Sequence, residues 1–224
     1  MNDRRAAISI IAGLTLAVAA CGDPTKSVVD NYFRAIQAED NQTLASFAVV
    51  SFDKKVDAWK VVQFHPESRS PATLPELAAK VKQIDADLAE NKKAYNAYFL
   101  DNPAEVDQVR ELLRAGEDIP KKLTEVAEDW QQFVAKEKEL KRVLAEARDA
   151  AAKEKKNVTL SVGQAEKVDQ LKGEAVSKDV DLTLTINGQP ENYTMKLRKY
   201  ELESDGSGAR AMSRWIIFAL QEKG

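Results

Sequence analysis

Between Leu74 and Lys156 the chain carries one glycine, Gly116, and apolar residues recur at steps of three and four. That spacing lines the apolar side chains along one stripe of an α-helix, and a heptad stripe needs a second helix to cover it. Leu77, Val81, Ile84, Leu88, Tyr95 and Tyr98 make the first seam, with Asn91 as its polar member. Leu123, Val126, Trp130, Phe133, Leu140, Leu144, Ala147 and Ala151 make the second, interrupted by Glu137. Thr73-Leu74-Pro75-Glu76 reads as a capping box opening the first helix, and Asp118-Ile119-Pro120 opens the last. Residues 74–115 and 119–156 are matched in length, each spanning roughly 55–65 Å as helix. The pattern predicts an antiparallel two-helix coiled-coil hairpin that turns at Gly116-Glu117-Asp118. Asn102-Pro103 breaks the first arm. Residues 104–115 either continue it past a kink or fold back as a third helix, and the matched lengths favour the kink. The mixed charges on the outer faces are the solvated surface of such an arm.

The flanking sections follow other periods. In residues 21–73, Asp23-Pro24 reads as a helix start, and Val28, Val29, Tyr32, Phe33 and Ile36 follow at helical spacing. A second short helix is expected from about Asp40, carrying Leu44, Phe47 and Ala48. Val56, Trp59, Val61, Val62 and Phe64 suggest extended structure, and Pro66, Ser68, Ser70 and Pro71 a loop. In residues 157–224, Val158 to Val162 alternates as a strand would. Val180, Leu182, Leu184 and Ile186 alternate with polar residues up to an Asn187-Gly188 turn. Tyr193 to Leu202 returns, and Met212 to Leu220 closes a three-stranded antiparallel meander. The fold class expected is α+β, with N-terminal helices on a curved antiparallel sheet and the helical hairpin inserted at 74–156.

The N-terminal stretch addresses location. Arg4 and Arg5 precede an apolar run from Ala6 to Ala20, which ends in Val18-Ala19-Ala20-Cys21. A charged front, a short apolar middle and small residues before a cut site are the parts of a secretory signal. The run falls short of the about 20 apolar residues a membrane-spanning helix needs. With cysteine directly after the small residues, it resembles a bacterial lipoprotein signal. The resemblance implies that 1–20 are removed and that Cys21, the only cysteine, becomes the lipid-bearing N-terminus. Two or more acyl chains suffice for stable anchoring. Cys21 to Asp23 leave about 10 Å between lipid and fold at full extension. Gly22 after the cysteine implies the outer membrane by the enterobacterial sorting rule, with the domain facing the periplasm or the outside.

A further resemblance rests on the run Val28 to Asn41, which contains Tyr32, Phe33, Ala35 and Ile36 followed by Glu39-Asp40, and on the closing Ser213-Arg214-Trp215-Ile216-Ile217. Both resemble nuclear transport factor 2-like domains, although Glu39 stands where those domains usually have glycine. The resemblance covers the sections outside 74–156. It implies a cone-like domain whose helices and curved sheet enclose a pocket, used by some members for isomerase, dehydratase or cyclase chemistry and by others for binding.

The residues themselves point away from chemistry. Enzymes of that type place acid–base groups inside the cone, whereas the only histidine, His65, lies in a proline-flanked loop. Asp30 and Tyr32 share the first helix without an identifiable common partner, and Tyr32 falls on its apolar stripe. Trp59 and Trp215 fit a core as well as a cavity wall. Zinc-ligand spacing, a nucleophile elbow and a glycine-rich phosphate loop are missing from the sequence. No catalytic residue, cofactor or metal ligand is therefore predicted. A net charge of −3 with interspersed signs gives no case for nucleic acid. The expectation is a non-catalytic, lipid-anchored envelope module, with an envelope protein contacted through the hairpin or a small apolar ligand held in the cone as the candidate partners.

Overall fold

The computed structural model describes residues 23–163, 168–203 and 212–223. It is a mixed α/β structure built on a curved antiparallel sheet and one very long helix. The leader and Cys21 lie outside the described residues. α1 (Thr25–Gln37) and α2 (Asn41–Phe47) are followed by β1 (Ala58–Phe64) and β2 (Ser68–Pro71). Then come α3 (Leu74–Asp101), α4 (Pro103–Ala115) and α5 (Thr124–Val162), and finally β3 (Lys172–Ile186), β4 (Gln189–Glu203) and β5 (Ile216–Glu222). The sheet runs β1-β3-β4-β5, with β2 also paired to β3. β1 and β2 lie end to end along one edge of β3, opposite 180–185 and 174–177 respectively.

β3 and β4 are joined at Asn187-Gly188, whose φ angles of 51° and 76° make the left-handed turn that matches strand twist. Their pairing continues without a bulge from Ile186↔Gln189 to Lys172↔Glu203. Directly opposed residues share a face and neighbours along a strand alternate. Val180↔Met195 and Leu182↔Tyr193 therefore share one face, whereas Ala175↔Tyr200 and Gly173↔Leu202 lie on the other. α1 and α2 cover the first face through Val29, Tyr32 and Phe33, with Leu44 and Phe47 alongside. The second face is covered at its other end by Leu74 of α3 and Val158 of α5.

Single-residue bulges tune the outer strands to this arrangement. On β1 the register shifts between Val61 and Gln63, so Val61 and Phe64 both reach the α1 core and Val62 is left 60% exposed. On β5 a shift opposite Lys196 and Leu197 likewise brings Ile217 and Leu220 to one side, while Ile216 joins the second core.

α3 and α5 run antiparallel. Ile84 packs with Leu144 and Ala147, Asp85 pairs with Arg148, and Asn91 reaches Phe133. At Asn102 the backbone leaves helical geometry (φ −134°, ψ 47°), and α4 then packs Val109 against Leu123 and Ala127 near the start of α5. α4 ends at Gly116, with φ 72°.

Three local expectations are corrected. Residues 157–162 are helical rather than a strand, because Val158 is fully buried against the sheet and Ser161 is engaged on the same side. The Ser161 hydroxyl donates to the Arg214 carbonyl at 2.8 Å and accepts from the Tyr200 amide at 3.0 Å, so tertiary contact overrides β-branched propensity. Ser68–Pro71 is a strand rather than a loop, since β3 extends beyond β1 and offers a free edge. Thr73 makes no side-chain cap; its hydroxyl donates instead to Glu154 at 3.1 Å.

Glu154, only 8% exposed, ties the arm to the sheet. It accepts from the Tyr200 hydroxyl at 2.9 Å and from Asn157 Nδ2 at 3.2 Å, in addition to Thr73. Replacing Tyr200 with Phe keeps the ring but leaves this buried carboxylate one donor short, which should lower stability by about 1–3 kcal/mol in urea unfolding. Gly173 has φ 149°, and a Cβ there would lie 2.1 Å from the Glu201 carbonyl oxygen. Gly173→Ala should therefore cost more than about 1 kcal/mol in the same assay, because the strained backbone cannot shift without disturbing β4.

Candidate functional site

Asp23 opens the described chain, and it is pinned. Its carboxylate accepts from the Thr25 amide at 2.9 Å and from the Lys178 ammonium. Lys178 is itself 8% exposed and sits over the Phe64 ring, 5.5 Å from its centroid. Burial raises the Asp23 pKa, but the hydrogen bonds from Lys178 and Thr25 outweigh it and hold the carboxyl below its ordinary value. The chain that follows Cys21 by two positions is thus fixed to the middle of β3.

The residues weighed for acid–base work are placed apart. Asp30 Oδ1 accepts from Trp59 Nε1 at 3.0 Å, and Oδ2 from Lys26 at 2.6 Å. Tyr32 points the other way, donating to the Val50 carbonyl at 3.3 Å, and burial pushes its phenol up to about 12. Trp59 stacks on Phe33 at 5.4 Å, so its ring closes the α1 core. Trp215 lies under the Lys199 ammonium, 5.0 Å from the ring centroid.

His65 enters a cluster that no local pattern announces. Its Nε2 lies 2.9 Å from Asp181 Oδ2, while Lys223 Nζ approaches the same oxygen at 2.7 Å and Thr194 donates to Oδ1 at 3.0 Å. These groups come from the end of β1, from β3, from β4 and from just beyond β5, so strand pairing brings them together. The Lys223 and His65 hydrogen bonds bring the Asp181 carboxyl down to about 2, against the opposing effect of burial. An ionised carboxylate surrounded by donors orients and neutralises; it is not poised to take up a proton near neutrality. Because the folded pKa lies below the ordinary 3.8, Asp181 contributes stability above that pH, and the contribution is lost as the pH falls toward about 2. In urea titrations the wild type should exceed Asp181→Asn most at neutral pH, with the gap closing between about pH 4 and pH 2.

An open groove of about 910 Å³ lies at the turn between α1 and α2. Its apolar side includes Ile36, Leu44, Phe52 and Val56, and Glu39 and Asp53 add carboxylates. Glu39 adopts φ 54°, a left-handed backbone that explains why glycine would suit this position. Asp40 then caps α2, accepting from the Thr43 amide at 2.9 Å. Position 39 carried a signal, since the resemblance has glycine there, whereas the groove was not readable from spacing.

Among the described residues no group of three or more His, Cys, Asp or Glu is arranged to hold a metal ion, and no helix is long and apolar enough to cross a membrane. No family model, curated protein or solved structure matches the chain.

Proposed function

We propose that the protein is a lipid-anchored component of a bacterial cell envelope, a non-catalytic binding module that reaches a second envelope component through its helical arm. The observation that carries this reading is Val18-Ala19-Ala20-Cys21, two residues ahead of a pinned Asp23. Lipid on Cys21 would hold the sheet close to the bilayer and leave the long α3–α5 pair as the element with reach. Gly22 after the cysteine fits the outer membrane. β1 and β2 precede the helical arm, β3 to β5 follow it, and all five strands share one sheet. That order supports a cone-like domain into which the hairpin is inserted. A second reading, a carrier or sensor of a small apolar ligand, is favoured by the apolar side of the α1–α2 groove.

The anchor is tested by expressing the full chain in bacteria fed an alkyne-bearing fatty acid. The wild type should carry the label and sediment with membranes, and Cys21→Ala should lose both properties. An unlabelled, soluble wild type, or equal labelling of the variant, would overturn the reading.

A further inference from the structure

The middle of the arm contains a defect that its own packing does not explain. Asn91 occupies a seam position, is 2% exposed, and donates from Nδ2 to the Phe133 carbonyl at 3.2 Å. Its Oδ1 is the one side-chain polar atom buried without a partner among the described residues. Leaving such an acceptor unmade costs about 1–3 kcal/mol, and leucine at a seam position would avoid that cost. Asn91 lies at a groove of about 410 Å³ between α3 and α5. Ala94 leaves room in it, and Tyr98 and Phe133 bring their rings within 5.5 Å of each other.

The charges lining this groove lean acidic, two carboxylates to one cation. Glu90 and Asp129 line it, and Lys136 is the opposing cation. Tyr98 hydrogen-bonds to Asp129 and also feels Glu125; burial, then the charge and hydrogen bond of Asp129 and the charge of Glu125, push its phenol above the ordinary value. Aromatic faces edged by carboxylates attract a cation, and a planar guanidinium uses both, stacking on the rings while pairing with a carboxylate. The same acidity repels phosphate, which disfavours a lipid headgroup or nucleic acid here. A trough between two helices receives a third helix lying along it.

We propose that this groove docks a basic helical segment of an envelope partner, with an arginine seated between Tyr98 and Phe133 and paired with Asp129. Asn91, which lines the same groove, holds in Oδ1 a free acceptor for the guanidinium. The inference rests on the reading of the arm as a contact surface and adds the chemistry of what it contacts.

The test uses full-length protein in detergent and three fluorescent alanine-rich helical peptides, identical except for Arg, Lys or Glu at three positions along one face. Anisotropy should show the Arg peptide binding at least tenfold tighter than the Glu peptide, with Lys between them. Asp129→Lys and Ala94→Trp should each weaken Arg-peptide binding at least tenfold. Glu117→Lys, the same charge change in the exposed connection between α4 and α5, should leave it within twofold. Circular dichroism confirms that each variant keeps its helix content; should Ala94→Trp fail to fold, Asp129→Lys against Glu117→Lys decides. Equal binding of Arg and Glu peptides, no binding, or equal effects of Asp129→Lys and Glu117→Lys would overturn the proposal. Peptide binding does not require lipid on Cys21, so failure of fatty-acid labelling and failure of the groove are separate results.

Discussion

The unbroken pairing of β3 with β4 governs the molecule. Because no bulge intervenes between Lys172↔Glu203 and Ile186↔Gln189, side-chain direction is inherited strictly from one end of the ladder to the other. The buried residues shift by one position between Leu197 and Tyr200. Hydrophobic burial therefore has to occur on both faces of one sheet, at opposite ends. α1 and α2 answer the first demand and the base of the arm answers the second. The arm's attachment to the sheet's second face is a consequence of that shift in parity.

Much of this was legible where the information is local. The heptad seams announced the helices, although the expected first arm of 74–115 is divided into α3 and α4 and α5 runs from Thr124 to Val162 rather than over 119–156. Asn187-Gly188 placed the β3–β4 turn, and Asp40 placed the start of α2. What was not legible depends on distant partners. Val158 to Val162 alternates like a strand, yet Tyr200 and Arg214 claim Ser161 from far along the chain. Thr73 looks like a cap but turns to Glu154, 81 residues away. His65 and Asp181 are 116 residues apart and meet only through the pairing of β1 with β3. Which carboxylates of the arm lie beside one groove likewise depends on how α3 and α5 pair, which sequence alone does not tell.

The arm itself is graded along its length. Near the sheet it is held by the Glu154 network and by Ile84 against Leu144 and Ala147. Toward the tip, Val109, Leu123 and Ala127 form another compact contact. Between them lie Asn91, an aromatic group of Tyr95, Tyr98, Phe99 and Phe133, and the break at Asn102. The middle of the arm is thus packed through aromatic rings around one polar seam residue, and the two ends through aliphatic side chains.

The bulge at Val62 has a consequence beyond the core it serves. A straight seven-residue edge such as β1 is a template on which further strands can be laid. The extra residue spoils the regular row of amides and carbonyls, and Lys60 adds a solvated charge beside it. On the far side of the sheet, β5 is bulged too, and Ala48 bridges to Ile217 across its edge. With both margins spoiled, crowded copies of the chain are hindered from stitching their sheets into a continuous fibre.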